Sequence, residues 1–220
     1  MTEKIIRYSI SDNLLNDGIK VALAIFSVPK NSKRRGNTLE KHIKTTIKEL
    51  DIDNMLSSDI LKAYKELYRK RGLRGTPPAE HLLLLVKKVK MLPNINKIVD
   101  CCNIVSLKTL LSVGAHDVDH IKGDIRFTNT DGTEKYTPLG KDNHESVTKN
   151  EYACLDEEKI LCRMDLKNCD ETKIRLETIS FLVYVQGNKE TSQEYVDEGL
   201  LRICENIEKF CNGKYKILQK

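Results

Sequence analysis

The sequence predicts an α+β fold: helices dominate the first half, a mostly antiparallel or mixed sheet fills the second half, and a C-terminal helix closes the chain. Three observations predict it. Apolar residues recur at helical spacing through most of residues 38–112. Beyond Gly123 the pattern changes to short alternating segments separated by turn residues. From Ser192 to Phe210 the helical period returns through Tyr195, Leu200, Ile203 and Ile207.

In chain order, Gly18 to Val28 (GIKVALAIFSV) is almost continuously apolar, rich in β-branched residues and stopped by Pro29, which is the signature of a buried strand. Leu39, Ile43, Ile47 and Leu50 set a helix over 38–50. Ser57 or Ser58 caps the next helix, which Gly72 ends. Its inner stripe is Ile60, Leu61, Tyr64, Leu67 and Tyr68, with Lys62, Lys65, Arg69 and Lys70 outside. Thr76 and Pro77 start a helix whose HLLLLV segment is apolar on nearly every side, and Pro93 terminates it. Asn94 is the expected cap of a helix through Ile95, Ile98, Val99, Cys102 and Val105, with Gly114 closing it or the turn after it. The expected strands that follow are DIRFTN, EKYTPL after an Asp131-Gly132 hairpin turn, EYACLD, KILCR and TISFLVYVQG.

A chain of 220 residues with 40% hydrophobic and 31% charged content suits one sizeable core. We therefore expect a single domain, with a strand and helix region over 1–60, a core over 61–187 and a closing helix over 188–220. No signal-like start and no run near the ~18 apolar residues of a membrane helix is present, so a cytoplasmic protein is expected. Seven cysteines, two of them adjacent at 101 and 102, do not form a disulfide framework or paired zinc-ligand spacing, which favours reduced thiols and no structural metal. The net charge of +5 is concentrated in KNSKRR (30–35), YRKRGLR (68–74) and KKVK (87–90). Such clusters attract phosphate backbones, although any one of them is equally well a solvated face.

The chemistry-bearing residues crowd between positions 96 and 125. His116 and His120, four apart with Asp117 and Asp119 nearby, offer metal-ligand types, but no second ligand pattern completes them. The competing reading is a polar turn in which Asp117 or Asp119 bonds its own backbone. Ser106 lies in a helical run instead of a Gly-x-Ser-x-Gly elbow, no cysteine neighbours a histidine, and no phosphate-cradling glycine loop exists. Asn103 shares a helical face with Val99 and Ser106 and points inward, where an unpaired amide costs ~1–3 kcal/mol. It either ties down the following loop or lines a pocket whose water or ligand satisfies it.

The stretch LPNINKIVDCCNIVSLKTLLSVGAHDVDHIKGDI, with YRKRG and PPAEHLLLLVKK before it and EYACLDEEKILCR after it, resembles the tRNA-editing domain of the phenylalanyl-tRNA synthetase β subunit, and is similar above all to free-standing proteins made of that domain alone. The resemblance spans about 61–187, and 220 residues hold no synthetase core beside it. It implies hydrolysis of the ester of a mischarged tRNA, in trans; one free-standing relative is associated with clearing canavanine from arginine tRNA. Asn103 matches the asparagine of the synthetase's Asp-x-Thr-Asn pattern, with Asp100 at the aspartate and Cys102 in place of the threonine. Asp117, Asp119 and Gly123 match the Asp-x-Asp-x-x-x-Gly that follows, whereas the synthetase histidine falls on Gly114 and His116 takes an aromatic position. The free-standing relatives also carry glycine there.

From this resemblance we expect Asn103, Gly114 and His116 at the catalytic position, with Cys102, Ser106, Val113, Ala115, Asp117, Arg163 and Asp165 around the substrate. Lys33, Arg34, Arg35, Arg69, Lys70, Arg71 and Arg74 are expected on the tRNA phosphates. No metal or other cofactor, no membrane and no obligate protein partner is expected. The alternatives are a tRNA- or amino-acid-binding module without turnover and, third, a metallohydrolase.

Overall fold

Strand β2 (Lys20–Ser27) forms where the apolar run predicts it, and its alternation explains the architecture. Ala22, Ala24 and Phe26 face one hydrophobic cluster, while Val21 and Leu23 face another. A strand buried on both faces must lie in a middle layer. The computed structural model describes residues 5–219 and has three layers accordingly.

The middle layer is a four-stranded antiparallel sheet in the order β3-β8-β2-β9, with β3 Ser112–Asp117, β8 Ser180–Gly187 and β9 Lys214–Leu218. Over one face lie α2 (Asn37–Glu49), α5 (Pro78–Val89), α6 (Lys97–Thr109) and α7 (Gln193–Cys211), packed on Phe181, Val183 and Val185. Over the other lies a five-stranded sheet. It contains β1 (Tyr8–Ile10), β4 (Ile125–Asn129), β5 (Tyr152–Leu155), β6 (Ile160–Arg163) and β7 (Lys167–Asn168) in that order, parallel at β1–β4 and antiparallel elsewhere. Two short helices, α1 (Asp12–Asn16) and α3 (Ile52–Leu56), complete the chain with α4 (Asp59–Lys70), which Ser58 caps by accepting from the Leu61 amide. Leu61 of α4 enters the helical core, whereas Tyr64, Leu67 and Tyr68 enter the core between the sheets.

Several boundaries differ from the expectation. Asn96, not Asn94, caps α6 through the Val99 amide at 3.1 Å. The helix ends at Thr109 on a left-handed Leu110 (φ 61°), so Gly114 closes nothing and sits mid-strand in β3. The hydroxyl of Ser106 donates to Leu111 O at 2.7 Å and supplies the reversal that a glycine was expected to provide. The segment EKYTPL forms only isolated bridges, Lys135 to Lys159 and Pro138 to Cys169, because the chain makes a long excursion between β4 and β5 instead of a hairpin. The region 188–220 contains α7 and then β9, which returns to pair with β2. Both ends of the chain thus enter sheets built mostly from its middle, so the three segments share their cores. No helix among the described residues is long and apolar enough to cross a membrane.

Candidate functional site

The site begins with the spacing of α6. Val99, Cys102 and Asn103 fall on the helix face turned toward β3, and Val113 and Ala115 of β3 meet them, because alternate residues of a strand share a face. Between them lies a pocket of about 400 Å³. Its remaining wall comes from Asn168 at the end of β7 and from Lys173 and Ile174 in the segment after it. Its mouth is bordered by Ile95 and Leu139, 48% and 54% exposed.

Two carboxamides enter this pocket without spending their hydrogen bonds elsewhere. Among the described residues neither the Asn103 nor the Asn168 side chain has a protein partner. Both are half-buried, so water or a ligand must complete them. Cys102 presents a thiol that burial pushes well above its ordinary pKa, so it is a small apolar wall and not a nucleophile. Lys173 Nζ donates to both Asp170 oxygens at 2.7 and 2.8 Å, and together with the Gly140 amide this holds the Asp170 carboxyl below the usual range.

The same pocket exposes backbone donors. Strand β3 is an edge strand, paired only with β8. The Asp117 amide points outward, to Thr172 O at 2.8 Å. Amides two residues apart point to the same side, so those of Ala115 and Val113 also face the open edge, where the pocket lies.

The remaining expected residues are placed elsewhere. Gly114 and His116 point through the sheet to its other face, by the same alternation that puts Val113 and Ala115 in the pocket. A Cβ on Gly114 would come within 2.2 Å of the Tyr184 ring, so no side chain fits there. His116 is fully buried, stacks on Tyr184 with ring centres 5.9 Å apart, and bonds Thr172 Oγ1 through Nδ1 at 2.8 Å. Desolvation lowers its pKa to about 3, so it is neutral and remote from solvent. His120 is exposed, and no group of three or more ligand-type side chains able to hold a metal occurs among the described residues. Asp117 accepts from the Asp119 amide at 3.0 Å and from Thr178 at 2.6 Å, which is the polar turn expected of this segment. Ser106 is spent on Leu111 O, beneath the pocket.

Arg163 pairs with Glu151, its Nε and Nη2 donating to the two carboxylate oxygens, and its guanidinium lies over Tyr136. Asp165 is sealed between the sheets with Tyr152 and Gln186 donating to it; burial raises its pKa to about 7. Neither lines the pocket. Of the cationic candidates, Lys33, Arg34, Arg69 and Arg74 are exposed, Lys70 is exposed but ion-paired to Asp17, and Arg71 is largely buried between Asp17 and the Tyr152 ring. Arg35 is buried. It donates to Asp100 Oδ2 at 2.7 Å and to the Leu92 and Pro93 carbonyls.

Sequence reasoning missed Asn168, Lys173, Ile174 and Leu139. They come from segments with no periodicity, which long-range bonds bring to α6: the pairing of β7 with β6, the Asp117 amide on Thr172 O and the Leu139 amide on Asn168 O. Val99 was within reach, four residues before Asn103 on one helix face.

Comparison with known proteins agrees with this architecture. Chains of solved structures match, among them an N-terminal fragment of the phenylalanyl-tRNA synthetase β subunit from Pyrococcus horikoshii, with TM-score 0.55 and 13% identity over 97% of this chain and 51% of that one. That likeness concerns the fold, and the chain spans about half the length of that fragment. No curated protein matches the chain. The family described as the B3/4 domain matches residues 68–212, which include α6, β3 and the pocket they enclose, and the chain belongs to that family.

Proposed function

We propose that the chain is an aminoacyl-tRNA deacylase, hydrolysing in trans the ester between a wrongly attached amino acid and the 3′ end of a tRNA. A non-protein amino acid such as canavanine on arginine tRNA falls within this reading. The observation that carries it is the pair of unspent carboxamides, Asn103 and Asn168, in a solvent-open pocket beside the free edge of β3. An aminoacyl ester is already activated, so catalysis needs orientation of the ester and one water, together with donors aimed at the developing oxyanion.

In this reading Asn103 holds the attacking water against the carbonyl carbon. The amides of Val113 and Ala115 receive the negative charge that develops on the carbonyl oxygen. As the tetrahedral intermediate collapses, the ester C–O bond breaks and the departing ribose oxygen takes the proton that the attacking water gives up, relayed by the neighbouring ribose hydroxyl. Gly114 and His116 support β3 from behind: the glycine lets the strand lie on Tyr184, and the histidine ties it to Thr172. Lys33 and Arg34 are suited to the tRNA backbone, because their loop is bonded to the start of α6 through Ser32 O to the Lys97 amide and through Arg35 to Asp100. That is the segment carrying Ile95 at the pocket mouth.

The test is a panel of mischarged tRNAs incubated with the protein, with and without a chelator. Release of at least one amino acid, unaffected by the chelator and lost in Asn103→Ala, is expected. Salt-sensitive tRNA binding with no turnover on any member would replace the deacylase with a binding module.

A further inference from the structure

The start of α6 meets the end of α7 along a seam of residues four apart, Lys97 and Cys101 against Asn206 and Phe210. Lys97 Nζ donates to Phe210 O at 3.1 Å, Asn206 Nδ2 donates to the Cys101 carbonyl at 3.4 Å, and Cys101 Sγ lies 3.8 Å from Asn206 O. At the end of this seam two free thiols touch, the Cys101 S–H donating to the Cys211 sulfur. They are about 110 positions apart in sequence.

The contact makes the two thiols unequal. Donation from Cys101, helped by the nearby Lys97 ammonium, holds the Cys211 thiol below its ordinary range in spite of burial and Asp100. The same contact, with burial, pushes Cys101 well up. Lys97 also covers the Phe210 carbonyl at the negative end of α7, which would otherwise disfavour a thiolate there. Burial pushes up every other thiol, those of Cys102, Cys154, Cys162, Cys169 and Cys204. The thiolate is the reactive form, so Cys211 is the sulfur prepared to act as a nucleophile.

Position agrees with this. Cys211 is the last residue of α7 and is followed by the exposed, left-handed Asn212, and helix ends fray, which admits a small oxidant. Cys154 and Cys162 show that proximity is not enough. They lie directly opposite each other on β5 and β6, but inside the core between the sheets, where both stay protonated.

We propose that Cys101 and Cys211 are a modification site at which a peroxide closes a disulfide between α6 and α7, with Cys211 as the attacking sulfur and Cys101 as the resolving one. The Cys211 sulfur attacks one peroxide oxygen and the O–O bond breaks. The leaving hydroxide takes up the proton that the Cys211 thiol gave to solvent and becomes water, while the other oxygen stays on sulfur as a sulfenic acid. The Cys101 sulfur then attacks that sulfur, the S–O bond breaks, and the departing hydroxide leaves with the Cys101 proton as a second water. Two thiols are oxidised by two electrons and one peroxide is reduced by two. The site is independent of the deacylase reading, although the bond ties down the helix that carries Val99, Cys102 and Asn103 of the pocket.

The test treats the full chain, reduced and folded, with a small molar excess of hydrogen peroxide, alkylates the remaining thiols and maps the unreduced peptides by mass spectrometry. One link between the peptides bearing Cys101 and Cys211 is expected, with free thiols falling from seven to five and recovering in dithiothreitol. Because the bond closes a loop of about 110 residues, the melting temperature is expected to rise by roughly 5–15 °C. Cys102→Ala should keep the link, which assigns it within the adjacent pair. Cys101→Ala should abolish it and leave a sulfenic acid on Cys211 that dimedone captures. The peptide map of the native protein decides the matter even where a variant does not fold. Seven surviving thiols, a link through Cys102 or Cys204, a Cys154–Cys162 bond in the folded protein, or a melting temperature that does not rise overturns the proposal.

Discussion

Arg35 and Asp100 form a buried ion pair, Nε to Oδ2 2.7 Å, with the arginine side chain 8% exposed and the aspartate side chain fully enclosed. Asp100 also accepts from the Ile95 amide, and Arg35 donates to the Leu92 and Pro93 carbonyls. One pair therefore fixes the basic loop, the turn before α6 and the mouth of the pocket. Removing one partner of such a pair leaves a buried charge unmatched, at a cost of roughly 3–5 kcal/mol. Arg35→Ala and Asp100→Ala are each expected to lower the denaturant midpoint accordingly, with the double variant far less than additive. Additive losses in a double-mutant cycle would show that the pair is not coupled.

Asn103 and Asn168 should behave oppositely to that pair. Neither amide is bonded to the protein, so alanine at either position is expected to change stability by less than about 0.5 kcal/mol. Hydrolysis of a responsive tRNA ester is expected to fall ~10²-fold or more in Asn103→Ala. For Asn168→Ala the loss should be smaller and mainly in KM. Thermal melting beside single-turnover kinetics reads both quantities, and a large drop in melting temperature would mean that the amides hold the fold.

Gly114 lies against Tyr184 so closely that a Cβ would reach its ring carbons at 2.2 and 2.3 Å. Overpacking of this kind typically costs ~1–3 kcal/mol. Gly114→Ala is therefore expected to destabilise by that amount or more, and Gly114→His to misfold. Shrinking the ring with Tyr184→Leu is expected to recover part of the Gly114→Ala loss relative to Tyr184→Leu alone. If the alanine variant melts like the native protein, the contact is not limiting.

Two buried groups give opposing pH dependence. His116, lowered to about 3 from 6.5, binds protons in the unfolded chain first, so its contribution to stability is lost as pH falls below 6.5. Asp165, raised to about 7 from 3.8, binds protons in the folded chain first, so its contribution is lost as pH rises from about 4 to 7. The net slope between pH 4.5 and 6.5 is expected to be shallow. Asp165→Asn, which tolerates the left-handed backbone at φ 55°, leaves the histidine alone and stability should then rise with pH. His116→Gln leaves the aspartate alone, and stability should fall over the same window. Each slope is bounded by about 1.4 kcal/mol per pH unit. Urea titrations at several pH values decide it; unchanged slopes in both variants would contradict the assignment.

Lys33 and Arg34 are exposed beside the segment that borders the pocket. Replacing both with alanine is expected to weaken tRNA binding uniformly across tRNA sequences and to reduce the slope of log K against log salt by about 1.5. An unchanged salt slope would move the phosphate contacts to another basic surface, such as that of Arg69 and Arg74.

What the sequence determined by itself was most of what depends on local period: β2, the main helices and the face of α6 on which Asn103 sits, while the α6 cap fell on Asn96 in place of Asn94 and EKYTPL formed no strand. The polar turn at Asp117 was legible for the same reason, since its bond runs to a backbone amide two residues away. Tertiary structure decided which charged and polar residues were free. Arg35 and Arg163 read like their exposed neighbours, yet Asp100 and Glu151, distant in sequence, consume them. It also decided which side of β3 faced the pocket, because the sheet's position between two cores, and not the strand's own residues, divides Val113 and Ala115 from Gly114 and His116. Long-range pairing delivered Asn168 and Lys173 to Asn103 across more than sixty residues of chain, and no local pattern can encode a contact whose two halves are specified by separate segments.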